Sequence, residues 1–247
     1  MSRLALLLFA LLSILWGVPY LLIKVAVAEV SVPFLVFARA TVGALALMPF
    51  LMKGNFAQLR QNWLAAAAFC IIEMLIPWGL ITHAEISIDS STAGLLIALT
   101  PVVAIVLAKL TGTGEQLGLR RWTGLALGFG GVFVLALPTL GGGLFAVGEV
   151  VLAAVCYAAG SLIASRWLKD VPPAQLTGAC LIGAALVYAW PAVHAWPTAM
   201  PSTTVIWAIV SLGVFCTALA FATFFMLVRE AGPERAVLIT YVAPAVA

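Results

Sequence analysis

Residues 3–29 read RLALLLFALLSILWGVPYLLIKVAVAE, an apolar run with Arg3 at one end and Glu29 at the other. The run is long enough to cross the hydrocarbon core of a bilayer, which takes about 20 helical residues. An arginine followed by apolar residues is also typical of a secretory signal peptide. Here the apolar segment continues past Tyr20 to about Val27 without a small-residue cleavage box, so a spanning helix is the better interpretation.

The charges of the whole chain repeat the arrangement of this first run. Ten of the twelve Lys and Arg residues lie at every second junction between apolar runs, as Arg3, Lys53, Arg60, Lys109, Arg120, Arg121, Arg166, Lys169, Arg229 and Arg235. The intervening junctions hold Glu29, Glu85 and Asp89, or no charge. Short loops rich in Lys and Arg stay in the cytoplasm, so this alternation predicts a multi-pass membrane protein with a cytoplasmic N-terminus.

The composition excludes several other classes of protein. Of the 247 residues, 64% are apolar and 9% are charged, whereas soluble domains carry about 25% charged residues. The net charge of +3 is spread over loops, so nucleic-acid binding is not expected. The four cysteines lie inside apolar runs without metal-ligand spacing, and no glycine motif for nucleotides is present. We therefore expect no metal site and no cofactor.

Apolar runs of similar length follow one another along the chain, joined by short loops with turn residues. Eight are long enough to span a bilayer, and they cover residues 4–27, 33–52, 63–84, 91–110, 122–138, 145–167, 174–194 and 204–228. A ninth run begins near Pro233 and reaches Ala247 after about a dozen residues, too few to cross. No loop is long enough for a soluble domain, so the sequence predicts an all-α polytopic membrane protein.

A weak internal repeat relates the two halves of the chain. A shift of 141 positions aligns residues 16–22 with 157–163, and a shift of 143 aligns residues 90–97 with 233–240 and Pro101 with Pro244. The first unit then holds five helices, so the second unit enters the membrane from the opposite face. Such inverted repeats are typical of secondary transporters. This organisation predicts five plus five transmembrane helices, with the end of helix nine and helix ten absent from this chain.

Four stretches carry a family resemblance. They are Leu15-Trp16-Gly17, Phe37-Ala38-Arg39, the segment from Ser90-Ser91-Thr92-Ala93-Gly94 through Thr100-Pro101, and Gly114-Glu115 followed by Arg121-Trp122-Thr123-Gly124 and Gly128 to Val132. Looser counterparts lie at Tyr157-Ala158 and from Ala236 to Pro244. On these residues the whole chain resembles the EamA-like branch of the drug/metabolite transporter superfamily. The resemblance is specific to the family and not to a substrate.

The resemblance implies an architecture and a function. Residues 1–138 would form the first EamA-like repeat, with helices one to five. Residues 145–247 would form the second, with helices six to eight and part of the ninth. Proteins of this branch transport small metabolites, usually out of the bacterial cytoplasm, through a central cavity between the two halves. The resemblance therefore implies efflux across the bacterial inner membrane by alternating access.

Glu73 is the sharpest candidate for chemistry inside the membrane. It lies ten residues into its helix, about 15 Å deep at about 1.5 Å per residue. An intramembrane carboxylate costs about 2.5–3.5 kcal/mol on insertion scales, and is a functional hypothesis by default. It could bind a substrate ammonium or exchange a proton. Arg39 lies at a similar depth in its own helix, so a structural ion pair with Glu73 is the alternative, and the two interpretations are compatible.

Aromatic and hydroxyl side chains supply the other candidates for substrate binding. Trp16, Tyr20, Trp78, Tyr157 and Tyr241 lie inside helices or near their ends. There they could stack on a flat metabolite or attract a cation. Each could equally anchor at the membrane interface or pack against lipid. Thr100 and Ser161 could supply hydroxyls at helix breaks.

Four prolines fall inside predicted helices and are candidate hinges, namely Pro19, Pro77, Pro101 and Pro244. Each removes a backbone donor and can kink its helix, which leaves a carbonyl free to face a cavity. Packing geometry alone would also explain them. The alignment of Pro101 with Pro244 across the repeat favours a functional role, because symmetric interruptions mark transporter sites.

The leading functional hypothesis is a secondary active exporter of small metabolites, such as amino acids or related amphipathic compounds. No ATPase motif is present, so a proton or solute gradient would drive it. The expected partners are a small-molecule substrate and the lipid bilayer, and the sequence leaves monomer and homodimer open. HExxH and GxSxG are absent, which argues against an intramembrane enzyme. The alternative is a non-transporting membrane scaffold or lipid-handling subunit.

Overall fold

Seven long helices make up most of the described part of the computed structural model, which covers residues 2–52, 54–112, 123, 130–131, 140–231 and 239–242. All seven are long and apolar enough to cross a membrane. They are α1 (Arg3–Ala26), α2 (Val32–Leu51), α3 (Trp63–Ser87), α4 (Ser90–Leu110), α5 (Gly143–Trp167), α6 (Pro173–His194) and α7 (Thr203–Ala231). No strand occurs among the described residues. The chain is therefore an all-α polytopic membrane protein, as the apolar runs predicted.

The seven helices begin and end within a few residues of seven of the predicted runs. Two short helices, Ala57–Gln61 and Ile239–Val242, complete the described structure. The predicted helix over residues 122–138 lies almost wholly outside the described residues. The same holds for most of the ninth run, including Pro244.

Serine side chains at helix starts explain three of the boundaries. Ser2, Ser31 and Ser202 each stand just before a long helix, and their hydroxyls accept hydrogen bonds from the backbone N–H three residues later. These bonds satisfy N–H groups that have no partner inside the helix. Because the hydrocarbon core offers no water to such groups, we expect each capped start to mark the edge of a span.

Hydrogen bonds between helix ends show that α1 and α7 are antiparallel. The Ser2 hydroxyl donates to the Glu230 carboxylate at 2.6 Å, which joins the start of α1 to the end of α7. At the other end, the Glu29 carboxylate accepts hydrogen bonds from the backbone N–H and the hydroxyl of Ser202, at 2.6 and 2.7 Å. We call the end that holds Glu29 the acidic end of the bundle, and the end that holds Arg3 the basic end.

Two further contacts orient the remaining helices. The Ser31 hydroxyl donates to the Ala195 carbonyl at 2.8 Å, so α2 begins where α6 ends, at the acidic end. Arg166, at the end of α5, donates to the Thr111 carbonyl just after α4. These two helices therefore finish at the same end of the bundle and run in the same direction.

Small residues allow close packing where helices of the two halves meet. The longest of these contacts joins α2 to α6, while α1 packs against α7 and α3 against α5. A Cβ added to Gly43 of α2 would lie 3.3 Å from the Gly213 carbonyl oxygen of α7. Close backbone approach at small residues is a common mode of helix association in membranes.

Two π-helical segments widen α3 and α7. They span Ile71–Leu75 and Val214–Leu219 and begin 143 positions apart, which is one of the shifts that align the two halves of the sequence. A π turn holds one residue more than an α turn, and such turns occur frequently at functional sites. Pro77 follows the first segment, and its nitrogen cannot donate to the carbonyl of Glu73, four residues earlier.

The Glu29–Ser202 contact makes a testable prediction about pH. The hydrogen bond from the Ser202 hydroxyl, followed by the one from its backbone N–H, holds the pKa of the Glu29 carboxyl below its ordinary value. A lowered folded-state pKa means that the contact stabilises the protein above the pKa of an unperturbed glutamate, about 4.3. This stabilisation is lost as the pH falls through the lower, folded-state pKa.

We expect Glu29→Gln to lower the apparent unfolding temperature at pH 7, and this difference from wild type should shrink as the pH is lowered. Thermal unfolding in detergent at a series of pH values measures both. Asp89→Asn is the matched control, because the Asp89 side chain makes no capping hydrogen bond to the helix that it precedes. A Glu29→Gln difference that is the same at every pH would contradict the prediction.

Candidate functional site

Glu73 lies in the π-helical segment of α3 and faces α5. A Cβ added to Gly160 of α5 would collide with the Glu73 carboxylate in its present position, so the carboxylate would have to shift if this glycine were replaced. The Glu73 Oε2 atom is buried and has no hydrogen-bond partner among the described residues. A carboxyl in this position is costly for folding alone, and an unsatisfied group of this kind requires a functional explanation.

Glu73 does not form the predicted structural ion pair with Arg39. No Lys, Arg or His nitrogen among the described residues lies within 4.0 Å of its carboxylate. The acidic side chain within electrostatic range of the Arg39 guanidinium is Glu85. The two side chains have different neighbours, since Glu73 lies beside Gly160 and Arg39 lies over Trp78.

Arg39 is buried in the middle of the bundle, with 5% of its surface exposed. Its guanidinium lies over the Trp78 ring, 3.8 Å from the ring centroid. Stacking of this kind contributes most where water is excluded. The Arg39 Nε atom finds no acceptor within the described structure. An arginine that retains an unpaired donor beside an aromatic face can receive an anionic or carbonyl group of a ligand.

Two tyrosines complete the surroundings of Arg39. Tyr20 of α1 and Tyr157 of α5 both pack against the apolar cluster that contains Ile81 and Ala153. Both phenols are within electrostatic range of the Arg39 guanidinium, and Tyr157 is also within range of Glu73. The structure therefore brings together four of the residues predicted from sequence.

Thr82 and Glu85 belong to the same buried region, although neither was predicted. Both are completely buried, and the Thr82 hydroxyl and both Glu85 carboxylate oxygens lack hydrogen-bond partners within the part of the chain described. With Trp78 they recur at helical spacing on α3, at positions 78, 82 and 85. We call Tyr20, Arg39, Trp78, Tyr157 and Glu85 the arginine cluster.

The position of Glu85 corrects an expectation from the charge pattern. Glu85 was assigned to a loop because the apolar run was predicted to end at residue 84. In the structure α3 continues to Ser87 and keeps Glu85 inside the bundle. The helical spacing of Glu85 from Trp78 is the signal in the sequence that could have placed it on the buried face.

Lys24 closes the C-terminal end of α3. Its ammonium donates hydrogen bonds to the backbone carbonyls of Glu85 and Ile88, at 2.7 and 2.9 Å. The last carbonyls of a helix have no partner inside it, and a cation there also interacts favourably with the helix dipole. Lys24 therefore binds backbone oxygens, and the Glu85 carboxylate oxygens have no donor among the described residues.

The other predicted side chains lie elsewhere or use their polar groups locally. Trp16 packs against Phe224 and Phe221 of α7, with ring centroids 5.3 and 6.1 Å apart. The Thr100 hydroxyl donates to the Ile97 carbonyl at 2.7 Å, and the Ser161 hydroxyl donates to the Tyr157 carbonyl at 2.9 Å. The Tyr241 side chain and Pro244 lie outside what the structure describes.

The three remaining candidate hinges differ in their effect on the backbone. At Pro101 the α-helical structure of α4 is interrupted between Ile97 and Thr100, and the Thr100 hydroxyl binds one of the released carbonyls. Pro77 adjoins the first π-helical segment. Pro19 does not interrupt its helix, because α1 remains helical from Arg3 to Ala26.

A histidine–glutamate pair and a surface groove lie towards the acidic end of the bundle. His83 of α3 and Glu149 of α5 form a hydrogen-bonded pair at 2.8 Å. A groove of about 400 Å³ lies between α2, α7 and the segment 196–201, and none of the predicted binding residues lines it. No group of three metal-ligating side chains occurs in the described ranges.

The site therefore has two parts, which meet along α3 and include side chains of α1, α2 and α5. Glu73 is a half-buried side chain near the middle of α3 whose buried Oε2 atom could exchange a proton or bind a cation. The arginine cluster supplies a guanidinium, two phenols and an indole, which suit a ligand with polar and apolar parts. Tyr157 lies within electrostatic range of both parts.

Comparisons with known proteins agree with this description. The sequence model of the EamA-like transporter family matches residues 3–137 and 144–247. The chain is 26% identical over 246 residues to YedA of Escherichia coli K12, described as an uncharacterized inner membrane transporter, covering 97% of this chain and 79% of that relative. It is 29% identical over 254 residues to YvbV of Bacillus subtilis, described as an uncharacterized transporter, covering 96% of this chain and 79% of that relative.

A solved structure supports the fold alone. A crystal structure of a protein with 24% sequence identity superposes with a TM-score of 0.70, covering 100% of this chain and 86% of the other.

Proposed function

Because the chain belongs to the EamA-like transporter family and is a multi-pass inner membrane transporter, we propose that it exports small metabolites by secondary active transport. The proposed substrates are amino acids or related amphipathic compounds, moved by alternating access. The observation that carries the proposal is the buried Glu73 Oε2 atom, which lies beside Gly160 and has no hydrogen-bond partner among the described residues. A group that bound no ligand or proton would bring only a cost in this position.

Several relationships between the described helices support the inverted repeat of five plus five helices. If the two repeats are superposed, helix one (α1) corresponds to helix six (α5), and helix three (α3) corresponds to helix eight (α7). The contact of α1 with α7 then corresponds to the contact of α3 with α5. The two π-helical segments also correspond, since they begin 143 positions apart. Consecutive transmembrane helices run in opposite directions. Because α4 and α5 are parallel, we expect one further transmembrane helix, the fifth of the first repeat, between them in the sequence.

The proposed orientation places the basic end in the cytoplasm. Arg3, Arg166 and Arg229 lie at this end, and short loops rich in Lys and Arg are retained on the cytoplasmic side. Glu29 and Asp89 lie at the acidic end, which would then face outwards. Protons arriving from outside would meet the arginine cluster before Glu73, whereas a metabolite would arrive from the basic end.

Solute counterflow by the reconstituted wild-type protein tests the proposal. Proteoliposomes loaded with an unlabelled amino acid should accumulate the labelled form of the same compound, and a panel of amino acids and amphipathic amines would identify the substrate class. Empty liposomes are the control. Absence of counterflow with every compound, together with movement of fluorescent lipids between leaflets, would instead support a lipid-handling protein.

A further inference from the structure

Tyr188 of α6 makes a direct hydrogen bond to the π-helical segment of α3. Its hydroxyl donates to the Leu75 backbone carbonyl at 2.8 Å, and Leu75 is the last residue of the segment Ile71–Leu75. A carbonyl oxygen has two lone pairs, so it can accept this bond in addition to one from its own helix. The bond joins residues 113 positions apart and therefore ties the π-helical segment to the second half of the chain.

Gly79 provides the space for this hydroxyl. A Cβ added to Gly79, one turn after Leu75, would overlap the Tyr188 hydroxyl oxygen. The same Cβ would lie 3.6 Å from the Tyr188 Cζ atom, which is an ordinary contact. Glycine lowers the stability of a helix relative to alanine. The hydroxyl of Tyr188 gives a physical reason for the glycine at this position.

A second contact ties the start of the same segment to α6. Cys70 is the residue before the segment, and its thiol donates to the Cys180 backbone carbonyl at 3.4 Å. Both cysteines are buried in one apolar cluster with Met74, and Tyr188 packs against that cluster. Helix α6 therefore contacts the π-helical segment of α3 at both of its ends.

The direction of the Glu73 side chain depends on the π-helical turn. The N–H that follows the segment bonds to the carbonyl of Ile71, five residues earlier, where an α-helix would use the carbonyl four residues earlier. If the turn relaxed to an α-helix, the side chains before it would rotate by about 100° relative to those after it. Glu73 beside Gly160 and Trp78 beneath Arg39 could not then both keep their present neighbours.

We propose that Tyr188 is a positioning residue for Glu73, because its hydroxyl holds the π-helical turn of α3 in the register that directs the Glu73 carboxyl towards Gly160. The inference rests on the proposed function, since it concerns the carboxyl proposed to exchange a proton or to bind a cation. Tyr188 lies in the second half of the chain and Glu73 in the first. A movement between the halves that breaks the hydrogen bond would therefore release the carboxyl.

Chemical modification tests the position of Glu73 without using transport. Dicyclohexylcarbodiimide is a lipid-soluble reagent that labels carboxyl groups inside the membrane, and mass spectrometry gives the labelling rate at each glutamate. Tyr188→Phe removes the hydroxyl and keeps the ring. The Glu73 Oε2 atom is buried, so a released carboxyl should be labelled faster than the wild-type one. Loss of one hydrogen bond changes an equilibrium by about two- to tenfold, and we expect an increase of this size.

Two controls accompany this measurement. Glu85 lies on the same helix and is completely buried, so its labelling reports general loosening of the bundle and should be unchanged in Tyr188→Phe. Ser13→Ala removes a hydroxyl that donates to the Phe9 carbonyl within α1. This variant should leave the labelling rates of both Glu73 and Glu85 as in wild type.

A second pair of variants separates positioning from stability. Gly79→Ala displaces the same hydroxyl by steric overlap, so it should raise the labelling of Glu73 and lower the apparent unfolding temperature. The double variant Gly79→Ala/Tyr188→Phe removes the overlap and should unfold at a higher temperature than Gly79→Ala. Its Glu73 labelling should stay raised, because the hydrogen bond is still absent. A merely structural role for Tyr188 predicts that both measurements recover together.

The outcomes distinguish this inference from the proposed function. A wild-type labelling rate at Glu73 in Tyr188→Phe, or an equal increase at Glu73 and Glu85, would overturn the inference, even if Glu73→Gln abolishes gradient-driven uptake. If wild-type transport does not respond to a pH gradient, proton exchange at Glu73 is refuted, and the labelling rates still decide whether Tyr188 positions the carboxyl. If Tyr188→Phe does not accumulate in the membrane, Gly79→Ala decides by the same comparison of labelling rates.

Discussion

Replacing Glu73 with glutamine should abolish transport driven by a pH gradient, while the protein still folds and inserts. Glutamine has nearly the same shape and fits beside Gly160, but it cannot bind or release a proton at neutral pH. The Glu73 Oε2 atom makes no hydrogen bond to a described residue, so the substitution breaks no such contact at that atom. Loss of a positioned proton-transfer group typically slows a reaction by about 100-fold or more.

The measurement is uptake of labelled substrate into proteoliposomes with and without an imposed pH gradient. We expect Glu73→Gln to lose the response to the gradient, and Glu149→Gln to keep it, because Glu149 is already paired with His83. Counterflow at equal pH separates the two roles considered for Glu73. It persists if Glu73 only exchanges protons, and it is lost if Glu73 also binds a substrate ammonium. Gradient-driven uptake at the wild-type rate in Glu73→Gln would refute proton coupling at this residue.

Replacing Gly213 with alanine should destabilise the contact between α2 and α7. The added Cβ would lie 2.6 Å from the Val42 Cβ and 3.0 Å from the Arg39 carbonyl oxygen. Neither atom can move without shifting the α2 backbone. Insertion of extra atoms into a packed interior typically costs about 1–3 kcal/mol. Because the displaced backbone carries Arg39, we also expect weaker substrate binding.

The apparent unfolding temperature in detergent measures the effect, and Gly148→Ala is the matched control. A Cβ at Gly148 would meet no atom within 4 Å, although this glycine is also helical. The control should therefore leave stability unchanged or slightly improve it, since alanine favours helices. Equal unfolding temperatures for Gly213→Ala and Gly148→Ala would show that the helices separate at this point without cost.

The positions of the helices could be predicted from the sequence because the bilayer sets both the length and the composition of a transmembrane segment. The predicted run over residues 33–52 and the observed α2, Val32–Leu51, differ by one residue at each end. Tyr20, Arg39, Trp78 and Tyr157 could be selected for a similar reason, since polar and aromatic groups inside an apolar run are few.

The neighbours of these side chains could not be predicted with the same accuracy. The rise per residue gives the depth of Glu73 and Arg39 but not the direction in which each side chain points. The π-helical segment at Ile71–Leu75 adds a residue to one turn. The side chains that precede the segment are therefore rotated about the helix axis relative to those that follow it.

Glu85 shows how composition can mislead at the end of a span. It is followed within six residues by Ser87, Asp89, Ser90 and Ser91, so the local sequence is typical of a polar loop. Tertiary packing against α1 keeps the last turn of α3 helical, because Lys24 binds its final carbonyls. The contact joins residues 61 positions apart, so the local sequence around Glu85 does not predict it.

The same lysine has a consequence for the order of assembly during synthesis. Helices enter the bilayer one after another from the N-terminus, and Lys24 belongs to the first of them. Its carbonyl partners become available only when the third helix is inserted, more than sixty residues later. Until then the ammonium must extend its long side chain to the membrane surface to remain hydrated. Docking of the third helix should therefore be accompanied by transfer of this ammonium from the membrane surface to the end of α3.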